Sequence, residues 1–126
     1  MSEVKFLKCA VCGKIVGVIQ DSAAPTMCCG QPMEEIAPGT TDAAKEKHVP
    51  VIEVDGSKVV VKVGEVAHPM EEDHWITWVY IKTEKGGQRK VLKPGEAPEA
   101  VFELADDKLV AAYEYCNKHG LWMARA

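Results

Sequence analysis

Residues 48–63 read HVPVIEVDGSKVVVKV, two apolar stretches on either side of Asp55 and Gly56. Apolar residues alternate with polar ones in these stretches, as expected for β-strands with one buried face. An Asp-Gly pair between two such stretches is favoured in the tight turn of a β-hairpin. The stretch therefore predicts two neighbouring antiparallel strands.

More short strands are predicted further along the chain. Residues 75–83 (WITWVYIKT) alternate Trp75, Thr77, Val79 and Ile81 on one face with Ile76, Trp78, Tyr80 and Lys82 on the other. Shorter runs (QRKVLK, AVFEL and LWMA) are separated by turns rich in Gly, Pro and Asp. The run LVAAYEYC predicts a strand, although Ala and Glu also favour a helical turn. Roughly seven short strands in about 80 residues predict a mainly β protein, an antiparallel β-sandwich.

Residues 1–36 differ from this second part. They are rich in Cys and Gly and contain too few large apolar side chains to close a core, so they need a cross-link. Residues 37–47 (APGTTDAAKEK) are small and polar and are predicted to form a linker. We therefore expect a small metal-stapled domain (1–36), a linker (37–47) and a sandwich domain (48–126).

The composition excludes several classes of protein. The formal net charge is −4 and the lysines are interleaved with acidic residues, which argues against nucleic-acid binding. No apolar run approaches the roughly 18 residues of a membrane span, and residues 11–19 are too short and polar for a signal-peptide core. Short spacings between cysteines indicate metal ligands in a reducing compartment. We expect a cytoplasmic protein without nucleic-acid or membrane partners.

Four cysteines form the first candidate site. Cys9 and Cys12 form a Cys-x-x-Cys pair, and Cys28 and Cys29 are adjacent. Four sulfurs around one ion indicate zinc or iron, so a structural zinc ribbon remains an alternative. A disulfide between adjacent cysteines would form a strained ring, and adjacent ligands predict a distorted tetrahedron, which favours a redox iron.

Four histidines and one late cysteine form the second candidate site: His48, His68, His74, His119 and Cys116. The Cys-x-x-His spacing of the last two lets one turn supply a thiolate and an imidazole to the same ion. Five ligands leave one octahedral position open, and iron suits this donor set better than zinc, which normally takes four. A divalent ion with one thiolate is a positive centre on an acidic chain, which favours a small anion, and Lys47 would add to that attraction.

With both sites in view, the chain resembles the desulfoferrodoxin family of two-iron superoxide reductases along essentially its whole length. The cysteine pattern looks like a desulforedoxin domain, and EKHVP (46–50), HPMEEDHW (68–75) and CNKHG (116–120) look like the three signatures of the catalytic domain. The resemblance implies a rubredoxin-like iron in the first domain and an immunoglobulin-like second domain. There it implies a second iron, with the four imidazoles in a plane and Cys116 axial.

The resemblance also implies an activity. Superoxide would be reduced to hydrogen peroxide (O₂⁻ + e⁻ + 2H⁺ → H₂O₂) in defence against oxidative stress, by a homodimer that receives electrons from a rubredoxin. Lys47 would attract superoxide and help to order the water that supplies protons. Glu46 would occupy the sixth position of the oxidised site.

Three other readings of the residues stay open at this point. The chain could be a non-catalytic iron electron carrier, in which the sandwich serves as a docking module. It could be a zinc-stapled binding protein, which would be colourless. It could also be a mononuclear iron oxygenase built on His68, His74 and a carboxylate such as Glu72 or Asp73, which would leave the other three ligands without a role.

Overall fold

The structure, a computed structural model, describes residues 4–40 and 48–126. It divides into two compact units, Met1–Ala37 and Pro38–Ala126. The second unit takes in Pro38 and Gly39, which lie in the predicted linker. The end of that linker, with Glu46 and Lys47, lies outside the described residues. In the described ranges, no helix is both long and apolar enough to cross a membrane.

The first unit contains very short strands that the sequence did not predict. In its described part these are β1 (Phe6–Lys8), β2 (Ile15–Gly17), β3 (Met27–Cys28), β4 (Gln31–Pro32) and β5 (Glu34–Glu35). Strand β1 pairs with β2 and β5, and β3 pairs with β4. Only Phe6 and Cys9 are buried hydrophobic residues among those described here, which agrees with the prediction that this unit cannot close an apolar core.

The second unit is an antiparallel β-sandwich, as predicted. Its strands, within the described residues, are β6 (Pro50–Asp55), β7 (Lys58–Val63), β8 (Ile76–Thr83), β9 (Gly87–Val91), β10 (Glu99–Glu103), β11 (Leu109–Cys116) and β12 (Gly120–Arg125). One sheet has the order β10-β7-β6 and the other β12-β11-β8-β9. Three strands facing four is the strand count of immunoglobulin-like domains.

The predicted hairpin and the ambiguous late strand are both confirmed. Strands β6 and β7 pair with Asp55 opposite Lys58, and Gly56 adopts φ 62° in the turn between them. Residues 109–116 form β11, which pairs with β8 on one side and β12 on the other. Because β11 is an interior strand, its ladder bonds and burial override the helical preference of Ala and Glu.

The core lies between the two sheets and decides where the loops converge. It is built from buried side chains of both sheets, among them Val59, Val61, Val79, Ile81, Phe102 and Cys116. His48 precedes β6, His68 and His74 lie between β7 and β8, and His119 lies between β11 and β12. The candidate ligands of the second unit therefore come from strand ends and from the segments that connect or precede strands, where a rigid sandwich can bring distant parts of the chain together.

Candidate metal centres

The four cysteines of the first unit lie together, as the sequence predicts. One sulfur from each of Cys9, Cys12, Cys28 and Cys29 falls within 4.8 Å of the others. We call this the four-thiol group. The sulfurs of Cys12 and Cys28 are 3.7 Å apart and those of Cys28 and Cys29 are 3.9 Å apart. Bonds of about 2.3 Å in a tetrahedron separate sulfurs by about 3.8 Å, so the group fits one four-coordinate ion.

Tight backbone turns hold these thiols together. Gly13 and Gly30 follow the two cysteine pairs with φ of 81° and 75°. Cys29 has φ 52°, which is uncommon for a residue with a side chain. This left-handed conformation lets two adjacent cysteines point at one centre, in line with the predicted distortion.

The electrostatics of the four thiols favour a cation between them. The backbone amide of Cys12 donates to the sulfur of Cys9 at 3.4 Å, and this bond is the main cause that lowers the pKa of Cys9 to about 6. Hydrogen bonding to Cys9 raises the pKa of Cys28 to about 12, because a second thiolate would stand beside the first. A bound metal ion removes this conflict, since it stabilises several thiolates at once.

The second group gathers all five predicted ligands. One ligand atom from each of His48, His68, His74, Cys116 and His119 lies within 4.8 Å of the others. We call this the His4Cys group. The nearest neighbours among its rings are His48–His68, His68–His74, His74–His119 and His119–His48, with centroids 4.7–5.1 Å apart. Each ring thus borders two others, and the four imidazoles form a closed cycle.

Two buried nitrogen atoms indicate where an ion would bind. The Nδ1–H of His68 donates to the Pro69 carbonyl at 2.7 Å, which turns Nε2 into the cycle. Within the described residues, Nε2 of His68 and Nε2 of His74 are buried without a hydrogen-bond partner. Buried polar atoms are rarely left unpartnered unless a ligand takes that place. Nε2 of His48 and Nδ1 of His119 lie 3.1 Å apart, close to the roughly 3 Å between neighbouring nitrogens on one metal ion.

The pKa values of the group suit metal binding. Burial lowers the pKa of His68 to about 4, and burial also lowers the pKa of His74. Both rings are therefore neutral at pH 7 and can donate a lone pair. Burial raises the pKa of the Cys116 thiol, while the backbone amides of Lys118 and His119 oppose that shift. A metal ion at this point would complete the deprotonation of the thiol.

Neither carboxylate of the oxygenase reading joins the His4Cys group. Among the described residues, Glu72 and Asp73 stand outside both ligand groups. Asp73 instead lies 3.9 Å from Lys118 in an exposed ion pair. Among the described residues, the ligand set is therefore nitrogen and sulfur only, which does not fit a site of two histidines and one carboxylate.

Sequence reasoning missed a residue that ties two ligand loops together. The side-chain oxygen of Asn117 accepts from the amide of Trp75 at 2.9 Å, and its nitrogen donates to the carbonyl of Asp73 at 3.0 Å. These bonds flank His74, while Asn117 itself stands between two other ligands. The signal in the sequence was an amide residue inside the Cys-x-x-His turn.

The fold and the two ligand groups define a class: a two-centre, non-haem metalloprotein with a four-thiol unit and a His4Cys sandwich. The family model described as "Desulfoferrodoxin" matches residues 40–125, and the one for its N-terminal domain matches residues 2–36. The chain belongs to the desulfoferrodoxin family. Its two ligand groups match the two iron sites of that family.

Individual relatives agree with this assignment over the whole chain. A desulfoferrodoxin homolog of Archaeoglobus fulgidus is 52% identical, with 98% of this chain and 99% of the relative covered. A desulfoferrodoxin of Nitratidesulfovibrio vulgaris is 50% identical, with 99% and 98% covered. The crystal structure of the superoxide reductase from Treponema pallidum superposes with a TM-score of 0.84 at 39% identity, covering 98% of each chain.

Proposed function

We propose that this chain is a superoxide reductase, an enzyme that reduces superoxide to hydrogen peroxide by one electron. The His4Cys group carries the proposal, because five protein ligands leave one position of an octahedron for a small substrate. A non-catalytic electron carrier would gain from saturated coordination instead. The names of the family's relatives and structural neighbours support the same reading.

The burial of the ligands indicates which side of the group is open. Cys116 is 0% exposed and His68 is 3% exposed, whereas His119 is exposed and His74 is half-buried. The thiol thus lies on the inner side of the imidazole cycle. We infer that a dissolved anion would reach an ion held by these residues from the more exposed side, near His74 and His119, and not from the side of Cys116.

The ligands themselves determine the charge and donor strength of the site. Iron held by these five residues would supply one-electron chemistry between its ferrous and ferric states. The four imidazoles are neutral ligands, so Cys116 is the one negative ligand against a divalent ion. With a divalent ion held by these residues, the site would carry a net positive charge that attracts an anion. The amides of Lys118 and His119 favour the thiolate form of Cys116, which is the form that donates electron density.

We also propose roles for two residues outside the described ranges. Lys47 precedes His48 directly and would attract superoxide; Lys47→Ala should slow the encounter and flatten its dependence on salt. An unchanged rate at low ionic strength would remove this role. Glu46 would take the sixth position of the oxidised site. Glu46→Ala should change the spectrum of the oxidised form with little effect on the encounter, whereas loss of metal would make the residue structural.

Further assignments follow from the family resemblance. We propose that the four-thiol group holds a rubredoxin-like iron, that the chain acts as a cytoplasmic homodimer and that a rubredoxin supplies the electrons. Analytical ultracentrifugation tests the dimer, and a single sedimenting monomer would refute it. The rate of reduction by reduced rubredoxin, compared with a flavodoxin, tests the donor.

One experiment tests the central proposal. Iron and zinc per chain are measured together with the visible spectrum, before and after a pulse of superoxide, for the wild type and Cys116→Ser. We expect two irons per chain, oxidation of the reduced His4Cys centre by superoxide, and loss of its thiolate-to-iron band and most activity in the variant. Zinc in both groups would support a binding protein instead. Two irons that do not react with superoxide would support the electron carrier.

A further inference from the structure

Trp122 in β12 contacts two residues of the His4Cys group. Its indole stacks on the imidazole of His48, with ring centroids 5.0 Å apart and planes 20° from parallel. Its indole N–H donates to the backbone carbonyl of His119 at 3.0 Å. These two histidines are 71 residues apart, yet Nε2 of His48 and Nδ1 of His119 lie 3.1 Å from each other. A single side chain therefore contacts both of these histidines.

The indole is itself held in place by the backbone of Gly39. The amide of Gly39 donates to the Leu121 carbonyl at 2.9 Å, and the amide of Met123 donates to the Gly39 carbonyl at 2.9 Å. A Cβ atom added at Gly39 would lie 2.6 Å from Cε3 of Trp122, well inside van der Waals contact. The close approach of the Gly39 backbone thus restricts where the indole can lie, and glycine is needed for that approach.

The other two imidazoles have their own supports. His68 is oriented by the Pro69 carbonyl, and the backbone on both sides of His74 is bonded to Asn117. His48 lies two residues before β6 of the three-stranded sheet, and His119 belongs to the turn before β12 of the four-stranded sheet. Trp122 connects these two segments at the site.

We propose that Trp122 is a positioning residue that sets the ring orientation of His48 and the position of His119, an inference that rests on the proposed metal binding of the His4Cys group. Partners that orient metal ligands commonly change metal affinity 10- to 100-fold when they are removed. Trp122 contacts the imidazole of His48 and the backbone of His119, so its effect would pass through these two ligands.

Chelator titration of the iron-loaded full chain tests this role. Iron loss to EDTA is followed separately for the two centres through their thiolate-to-iron bands, which makes the four-thiol group an internal control. In Trp122→Leu, we expect the His4Cys centre to bind iron about 10- to 100-fold more weakly and its thiolate band to shift. The four-thiol centre should behave as in the wild type. Trp122→Phe keeps a ring over His48 and loses only the N–H bond, so it should recover part of the affinity.

A matched control separates positioning from general packing. Trp78 stacks on Tyr115, with centroids 5.7 Å apart, and not on a histidine of the group. Trp78→Leu should therefore leave the His4Cys band unshifted. Wild-type EDTA sensitivity and an unshifted band in Trp122→Leu would overturn the proposal, as would equal loss of iron from both centres.

Gly39→Ala gives an independent test if Trp122→Leu does not fold. It retains the tryptophan but forces the indole to move, so the same shift of the His4Cys band is expected. An unshifted band in Gly39→Ala would refute the positioning role. A wild-type protein without iron in the His4Cys group would instead refute the proposed function.

Discussion

Asn117→Ala is expected to loosen the His4Cys group without unfolding the sandwich. The wild-type side chain joins the turn that holds Cys116 and His119 to the backbone on both sides of His74. Alanine removes both of these hydrogen bonds and leaves the longer backbone bond from the Asn117 amide to the Trp75 carbonyl at 3.3 Å. Three ligands are therefore affected by one truncation.

The size of the effect follows from the two bonds. A hydrogen bond contributes about 0.5–1.5 kcal/mol net, and both bonds lie at an exposed position where water can replace the lost partner. We therefore expect the free energy of unfolding to fall by about 1–2 kcal/mol, which corresponds to a roughly 5- to 30-fold change in an equilibrium constant.

Lys118→Ala is a matched control for the same pair of loops. Lys118 and Asp73 form an ion pair of 3.9 Å whose side chains are 51% and 83% exposed. Such an exposed pair is worth about 0–1 kcal/mol and is weakened by salt. The control thus removes a side-chain contact between the same two loops. Unlike the bonds of Asn117, this contact does not fix the backbone around His74.

Two measurements on the iron-loaded chain test the expected effect of Asn117→Ala. Urea unfolding gives the change in stability, and the rate of iron release to a chelator gives the change at each centre. We expect Asn117→Ala to release iron from the His4Cys centre about 5- to 30-fold faster, with the four-thiol centre unchanged and Lys118→Ala near the wild type. Equal effects of the two variants, or equal acceleration at both centres, would refute the reasoning.

Acidification and metal removal give two further predictions. Burial lowers the pKa of His68 from 6.5 to about 4, so the folded metal-free chain binds fewer protons than the unfolded chain between these values. Its unfolding free energy should fall by about 3 kcal/mol from pH 6.5 to pH 4, and an equal slope in His68→Gln would contradict this origin. Chelation of both metals should unfold the first unit, in which Phe6 and Cys9 are the buried hydrophobic residues among those described, and leave the sandwich folded. Loss of the dispersed amide NMR signals of the sandwich as well would disprove this predicted difference between the two units.

The sandwich could be predicted from sequence because its strands are long enough to show the two-residue alternation of side chains between the faces of a sheet. Residues 75–83 alternate through an eight-residue strand, Ile76–Thr83, and Asp55-Gly56 marks its hairpin by turn chemistry. The strands of the first unit have two or three residues, too few for any alternation to appear. No local apolar pattern announces their pairing, and the signal that the sequence offers for this unit is the spacing of the cysteines.

The ligands could be predicted from residue type, but their supports could not. Cysteine and histidine are uncommon and chemically specific, so their spacing alone indicated two sites. Asn117 and Trp122 act on backbone atoms or rings that come close only in the folded chain, such as the Trp75 amide 42 residues away from Asn117. Gly39 lies in the predicted linker, and only the folded chain shows that the indole of Trp122 leaves no room for a Cβ atom at its present position.

The two centres differ in what must hold their ligands, and this difference bears on the chemistry. Four thiolates saturate a tetrahedral ion, so the metal itself can organise a unit with little apolar core. A centre with one free position needs a rigid protein frame, because a mobile loop would let a neighbouring side chain or amide bind at the free position. The His4Cys ligands are therefore attached to a sandwich with its own apolar core. The Pro69 carbonyl orients the ring of His68, and Asn117 ties the backbone around His74 to the turn of Cys116 and His119. Buried unpartnered nitrogens on His68 and His74 cost stability in the metal-free chain, and the sandwich core offsets that cost. Reactivity toward a small anion thus depends on a rigid frame around the metal as much as on the choice of ligands.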